Sequence, residues 1–454
     1  MKRFGFLRRL ARILGGLCKD EDGHVVLYFT LMLPVMLGLT GLVLDGGGLF
    51  NLHSELQALA DAAALAGAKE LDGTADAITR ASDRAQNLLS NDPRFSNVAA
   101  SGSQVASVQF FSALDVSTTD PTQANFIKVT TVTRQVLPTL LQAVGATSAG
   151  QTSASATAGA TYVACNVQPL MLCNPFEPAG EDFHATPGQM FKFTPASAGK
   201  TTFAPGDFGL VDPPGQNSSG GNTLRNLLSQ MTPNFCYIDQ VSPRPGQVTS
   251  KVQDGINVRF DIAPNGNTTG LDQTPAPDVV KGRVPNNPGN VCGPFTDHPE
   301  LRLPRDTNMT PTAGVAIGTG DMGGAAAMNA YWFGQHGVNW PANVTTRYQA
   351  YLRELGLNGA APPWTNVEPH APTCNGVSAG DYKRRIISVA VVNCLAQGVQ
   401  GNSTTNLQSH MYAEFFITEP ATAPPDSSIY AEFVQLITPG SSDGKLHQVI
   451  QLYR

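Results

Sequence analysis

The 454 residues carry a net charge of −6, with 41% hydrophobic and 14% charged side chains, 45 glycines and 33 prolines. That is chain enough for two or three domains with cores of their own, built with many loops rather than as a helical, highly charged enzyme. Beyond the N-terminal segment no basic run is interleaved with aromatics, which sets nucleic acid aside as a partner.

Residues 1–24 hold Lys2, Arg3, Arg8, Arg9, Arg12 and Lys19, and residues 25–44 follow without a charged side chain. A helix of twenty residues covers roughly 30 Å, the thickness of the hydrocarbon core of a bilayer, so 25–44 reads as a transmembrane helix. A cleaved secretory signal is the competing reading, but its apolar region is usually about 7–15 residues long, and here Asp45 stands where cleavage would be prepared. Basic residues stay on the cytoplasmic side, which predicts an uncleaved anchor with a cytoplasmic N-terminus and an exported bulk.

Gly46, Gly47 and Gly48 predict a hinge, since each weakens a helix by about 1 kcal/mol relative to alanine. Leu49, Leu52, Leu56, Leu59, Ala63 and Ala66 then mark one face of a helix that continues outward and ends near Gly73. Its small side chains permit close lateral approach of a second helix. Asp45, Ala60, Asp61, Ala63, Ala64 and Gly67 are therefore candidates for packing against a partner, with the chain's own sheet as the alternative occupant. For the two carboxylates, the alternative is that Asp45 marks the membrane boundary and Asp61 faces water.

A second helix is predicted over 76–90, strands over 104–111, 126–133 and 155–163, and a helix over 136–144. From residue 165 short strands alternate with Pro/Gly/Asn loops at 212–222, 263–290 and 358–380. Helices are expected at 223–231, 325–333 and near 345–356. Residues 386–393, 411–418, 429–437 and 447–453 predict four strands of one antiparallel sheet. Cys165, Cys173, Cys236, Cys292, Cys374 and Cys394 all lie beyond the span and Cys18 before it, an even count that predicts three disulfides in an oxidising compartment. Neighbour pairing (165 with 173, 236 with 292, 374 with 394) is the expectation, though spacing leaves the connectivity open and allows buried thiols.

Asp22-Gly23 ahead of the apolar run, Pro34 within it, Asp45-Gly-Gly at its end and Ala60-Asp-Ala-Ala-Ala-Leu-Ala-Gly-Ala68 together resemble the N-terminal module of TadE/TadG-like proteins. These are membrane-anchored components of the tight-adherence (Flp-type) pilus assembly system. The resemblance is close over residues 20–70 and continues more weakly through Cys173-Asn-Pro-Phe-Glu177, Ala330-Tyr-Trp332 and 385–394. It implies an α+β fold: the anchor continues into a pilin-like helix and small antiparallel sheet over 45–164, followed by a loop-rich, β-rich, disulfide-bonded exported domain over 165–454. It also implies that partners are other pilus assembly proteins or pilin-like subunits. The fifth residue after Gly23 is Tyr28, where processed pseudopilins carry glutamate, so no cleavage at Gly23 is expected.

Three motifs suggest chemistry. Gly376-Val-Ser-Ala-Gly380 matches a nucleophile elbow around Ser378, but a Pro-rich loop precedes it and a strand follows. Gly318-Thr-Gly-Asp-Met-Gly323 matches a dinucleotide fingerprint without the acidic residue expected about twenty positions on. Asp115-Val-Ser-Thr-Thr119 is similar to the cation motif of von Willebrand A-type domains found in some relatives, with Asp120-Pro121 where a helix should start. The histidines are scattered, with neither His-Glu-x-x-His nor Cys-x-x-Cys. The reading is a non-enzymatic structural or assembly protein with no cofactor, metal or small-molecule substrate. An exported hydrolase using Ser378 and an adhesin or minor pilin at the pilus tip are the alternatives.

Overall fold

A computed structural model describes residues 23–87, 104–145, 148–195, 203–215, 220–238, 240–244, 249–262, 268–312, 314–357, 370–399, 411–423, 427–438 and 444–453, with 96, 264, 266 and 407–409 between them. The basic N-terminal segment with Cys18 and Asp22, the end of the predicted 76–90 helix and residues 358–369 lie outside the described residues. The chain divides into two compact units, one of residues 1–160 with 450–454 and one of 161–449.

In the first unit, α1 runs unbroken from Gly23–Ala68, 46 residues with Pro34 inside. The expected hinge at Gly46–Gly48 is not there. Contacts with residues 136–155 flank this stretch on either side. A Cβ on Gly41 would lie 3.2 Å from the Leu141 backbone nitrogen, one on Gly48 would touch Val136, and one on Gly150 would lie 3.2 Å from Leu49. His53 Nδ1 lies 3.0 Å from the Thr152 hydroxyl, and Gln57 donates to the Ser155 carbonyl at 3.2 Å. After Ala68 the chain turns through Gly73, whose φ of 78° is left-handed, and Arg80 ties the turn by ion pairs to Glu70, Asp72 and Asp76.

Helix α2 (Ala77–Asn87) buries Ala77, Ala81 and Ala85, one residue per turn on a single face. Strands β1 (Val105–Ala113), β2 (Val116–Ser117), β3 (Phe126–Thr131) and β6 (Ser155–Cys165) form an antiparallel sheet in the order β2-β1-β3-β6. β3 alternates as its sequence predicts, with Ile127, Val129 and Thr131 inward. The predicted 136–144 helix is instead strand β4 (Arg134–Val136), a 3-10 turn at Leu141–Val144 and strand β5 (Gly150–Thr152), which pairs with β4 across that turn.

Strand β6 carries the chain into the second unit. There β7 (Leu170–Cys173), β8 (Met190–Phe193), β9 (Phe208–Val211), β12 (Pro243–Arg244), β15 (Met309–Thr312), β16 (Val315–Gly318), β17 (Ile386–Val392), β19 (Met411–Ile417) and β20 (Ile429–Ile437) form one sheet, ordered β12-β9-β7-β17-β19-β20-β8-β16-β15. β7 and β17 run parallel, and the other strand pairs of the sheet are antiparallel. The short strands β10 (Cys236–Ile238), β11 (Gln240–Val241), β13 (Arg283–Pro285), β14 (Phe295–Asp297) and β18 (Leu407–Gln408) lie off it.

Helices cover both faces of the nine strands. Ile387, Val389, Val391 and Phe415 pack with Leu224 and Leu228 of α3 (Gly221–Ser229) and Val252 and Ile256 of α4 (Thr249–Asn257). Ile386 and Phe416 face the other way, into Trp332 of α5 (Gly324–His336) and Tyr351 of α6 (Arg347–Glu354). A strand covered on both sides reads as a continuous apolar run, which, apart from the buried Ser388, is the pattern of 386–392. The predicted four-stranded C-terminal sheet is corrected on one point: β21 (Leu446–Tyr453) pairs with β6 and not with β20.

The disulfides differ from neighbour pairing. Cys165 bonds Cys236 and Cys173 bonds Cys394, while Cys292 and Cys374 are free. Strand register decides this, since Cys165 lies opposite Cys236 between β6 and β10, and Cys173 ends β7 beside Val392 of β17. Cys374 donates to the Val291 carbonyl at 3.3 Å, and desolvation, with Cys292 beside it, pushes its thiol up to about 12.

Candidate functional site

The features that bear on function converge on α1. Its first half is bare: Val25 is 71% exposed, Phe29 68%, Met36 64% and Leu44 58%, an apolar surface that water does not tolerate over such a length. Gly41 alone within 25–44 is buried.

Asp45, at the end of this run, is engaged by its own chain. Its carboxylate accepts the Thr139 hydroxyl at 2.7 Å and the backbone N–H groups of Thr139, Leu140 and Leu141 at 3.0, 3.0 and 2.8 Å. The Leu141 N–H above all, with the Thr139 hydroxyl, holds the carboxyl below its ordinary value. Of the roles open to it, Asp45 therefore performs an internal one, latching the 3-10 turn to the helix. Asp61 is half-buried and accepts from Gln57 of the same helix at 2.7 Å.

The small-residue face is also taken. Ala60, Ala63, Ala64 and Ala68 are fully buried against Ile127, Ala156, Ala158, Ala81 and Ala85. At Gly67 a Cβ would come within 2.5 Å of Ile127 Cδ1 and 3.1 Å of the Ala81 carbonyl. Ala60, Ala63, Ala64 and Gly67 thus lie against the chain's own sheet and second helix, the alternative occupant: a helix laid on a sheet must bury one stripe, and this is the stripe. Ala63→Leu is expected to overpack this core and to lower stability by about 1–3 kcal/mol, read from denaturant titration of the micelle-embedded chain. Wild-type stability would contradict that placement.

The remaining motifs resolve structurally. Ser378 lies exposed in a loop that enters a 3-10 turn at Tyr382–Arg385 and then β17, so no strand-to-helix elbow forms around it. Asp115 sits at φ 129° in the turn between β1 and β2. The glycine loop 318–323 does cradle an anion, but an internal one. Asp306 accepts the N–H groups of Gly320 and Met322 at 2.8 and 2.9 Å, and a Cβ on Gly318 would lie 2.0 Å from Asp306 Oδ2. Asp306 in turn pairs with Arg347 at 2.5 Å.

One cluster was not anticipated. Glu354 accepts from the Tyr331 hydroxyl at 2.8 Å and lies 3.0 Å from His336 Nε2, while His370 Nδ1 is 2.8 Å from Asp278 Oδ1. Desolvation, reinforced by Asp278, pushes Glu354 well up, and desolvation lowers His336 to about 4, so the His336 imidazole stays neutral at pH 7. His370 borders a cavity of about 300 Å³ with Lys281, Arg283 and Gln335. These side chains come from α5, α6 and two loops, which no local spacing reveals. Among the described residues no three His, Cys, Asp or Glu are placed to hold a metal ion.

Against known proteins, residues 23–70 match the model of the family described as putative Flp pilus-assembly TadE/G-like. The N-terminal segment is TadE/G-like. The matched stretch coincides with α1 and the turn that follows it, so the TadE/G-like module comprises the bare apolar half, the Asp45 latch and the alanine stripe. No curated protein and no solved structure matches the chain.

Proposed function

We propose that the chain is a structural or assembly component of a Flp-type (tight-adherence) pilus system. Residues 25–44 anchor it in the bacterial inner membrane with the N-terminus cytoplasmic. The first unit stands above the membrane as a pilin-like helix-on-sheet module, and the second is a disulfide-bonded periplasmic body. It works by contact with other pilus assembly proteins or pilin-like subunits. The observation that carries this reading is the coincidence of the TadE/G-like match with an exposed apolar helix long enough to cross a bilayer. The occupied glycine cradle and the buried Asp306–Arg347–Glu432 group support a structural body, because their carboxylates and guanidinium are spent on internal bonds.

Deleting the gene is expected to remove surface Flp pili. The intact chain and its Ser378→Ala variant are both expected to restore them, whereas a chain lacking 25–44 is not. A reporter that works only in the cytoplasm, fused after Arg454, is expected to be silent. Piliation unaffected by the deletion, or rescue abolished by Ser378→Ala, would overturn the proposal.

A further inference from the structure

We propose that the turn at 137–145 of the first unit is a second lipid-contacting element, seated in the outer interface of the bilayer beside the end of the span. The inference rests on reading 25–44 as the membrane span, and depth follows from that reading. Leu141 is packed on Gly41, the one buried position of the apolar run, with its backbone nitrogen 3.2 Å from where a Cβ would stand. Gly41 precedes Leu44 by three residues, so at about 1.5 Å per residue the turn reaches roughly 4–5 Å below the end of the run.

The turn is chemically suited to that depth. No Asp, Glu, Lys, Arg or His occurs from residue 135 to 149, and Leu137 is 43% exposed. Irregular backbone enters the edge of a membrane only where its N–H groups are satisfied. Here Pro138 has none, Asp45 takes those of Thr139, Leu140 and Leu141, and the Gly145 N–H bonds the Gln142 carbonyl. The latch thus satisfies three of the backbone donors that would otherwise keep the turn in water. On the helix nearby, Phe50 is 76% exposed, an apolar side chain at interface height.

The test uses the full chain reconstituted in phosphatidylethanolamine and phosphatidylglycerol vesicles containing phosphatidylcholine brominated in the upper acyl chain, which quenches nearby tryptophan. Three variants are compared with the unsubstituted protein, whose Trp332, Trp340 and Trp364 set the background. Leu33→Trp, inside the span, and Leu137→Trp should both lose most of their added emission, while Leu114→Trp, in the β1–β2 turn, should keep it. Gln142→Trp, also exposed on the turn, replaces Leu137→Trp if that variant melts abnormally. Quenching at Leu33→Trp with Leu137→Trp as bright as Leu114→Trp would overturn this inference and leave the anchor standing. Absence of quenching at Leu33→Trp would overturn the anchor itself, and the inference with it.

Discussion

Replacing Arg347 by methionine is expected to destabilise the second unit by about 3–5 kcal/mol at pH 7, the largest effect of any single substitution we foresee. The side chain is fully buried and every arm of the guanidinium is used. It donates to Asp306 at 2.5 Å, to Glu432 at 3.1 Å, and to the carbonyls of Pro304 and Gly188 at 2.6 and 3.0 Å. Methionine matches much of the volume but strands two carboxylates without a counter-charge, and this uncompensated burial, more than the lost bonds, sets the magnitude. Lysine is expected to rescue little, because a point charge cannot serve four acceptors at once.

The lesion should depend on pH in a stated direction. Desolvation already raises Glu432 above its ordinary value, and Arg347 opposes that rise. Without Arg347 the folded-state value climbs further. A carboxyl raised on folding contributes stability that is present below its unfolded value, near 4.5, and lost as pH rises through the folded one. The variant should therefore recover part of its deficit as pH falls from 7 toward 5. Urea titrations at the two pH values measure this, and a small, pH-independent deficit would refute the account.

The second large effect is expected from Cys173→Ala with Cys394→Ala, which should lower stability by about 2–5 kcal/mol. The bond closes a separation of 221 residues, and both cysteines are buried where the parallel strands β7 and β17 end. Beside it the Asn174 amide donates to Asn393 Oδ1 at 3.1 Å and to the Glu181 carbonyl at 2.9 Å, so the junction keeps polar ties when the sulfurs are gone. Removing the Cys165–Cys236 bond, with a separation of 71, should cost about 1 kcal/mol less on loop-entropy grounds. Denaturant titration of the two double variants decides the order. Mass spectrometry of non-reduced peptides from the cell envelope should recover both pairs.

What could be read from the residues was whatever local pattern controls. The apolar run of 25–44, the alternation of β3 and the continuous apolar stretch of β17 each state their environment within a few residues. Partners distant in the chain were not legible. Asp45 announces a carboxylate at the end of a span, but nothing local says that Thr139 will cap it. The 318–323 glycines imply a cradle without revealing that Asp306 fills it from fourteen residues before Gly320. Disulfide connectivity follows strand register, which depends on the completed sheets. The small-residue stripe of α1 marks a packing surface in the sequence, and only the completed sheet shows what lies against it.

The unbroken course of α1 has a mechanical consequence. Its 46 residues measure about 69 Å, of which roughly 36 Å lies beyond Leu44. Because the alanine stripe fixes the outer part to the sheet and Asp45 ties the helix to the 3-10 turn, a span at 25–44, as proposed, would continue into the first unit as one unbroken helix. Membrane-spanning helices tilt by about 20° on average, which would carry the outer end of this one sideways by roughly 12 Å. Under the proposed anchoring, a change in bilayer thickness is expected to act directly on the orientation of the first unit, and a force applied to that unit to be returned to the span as torque.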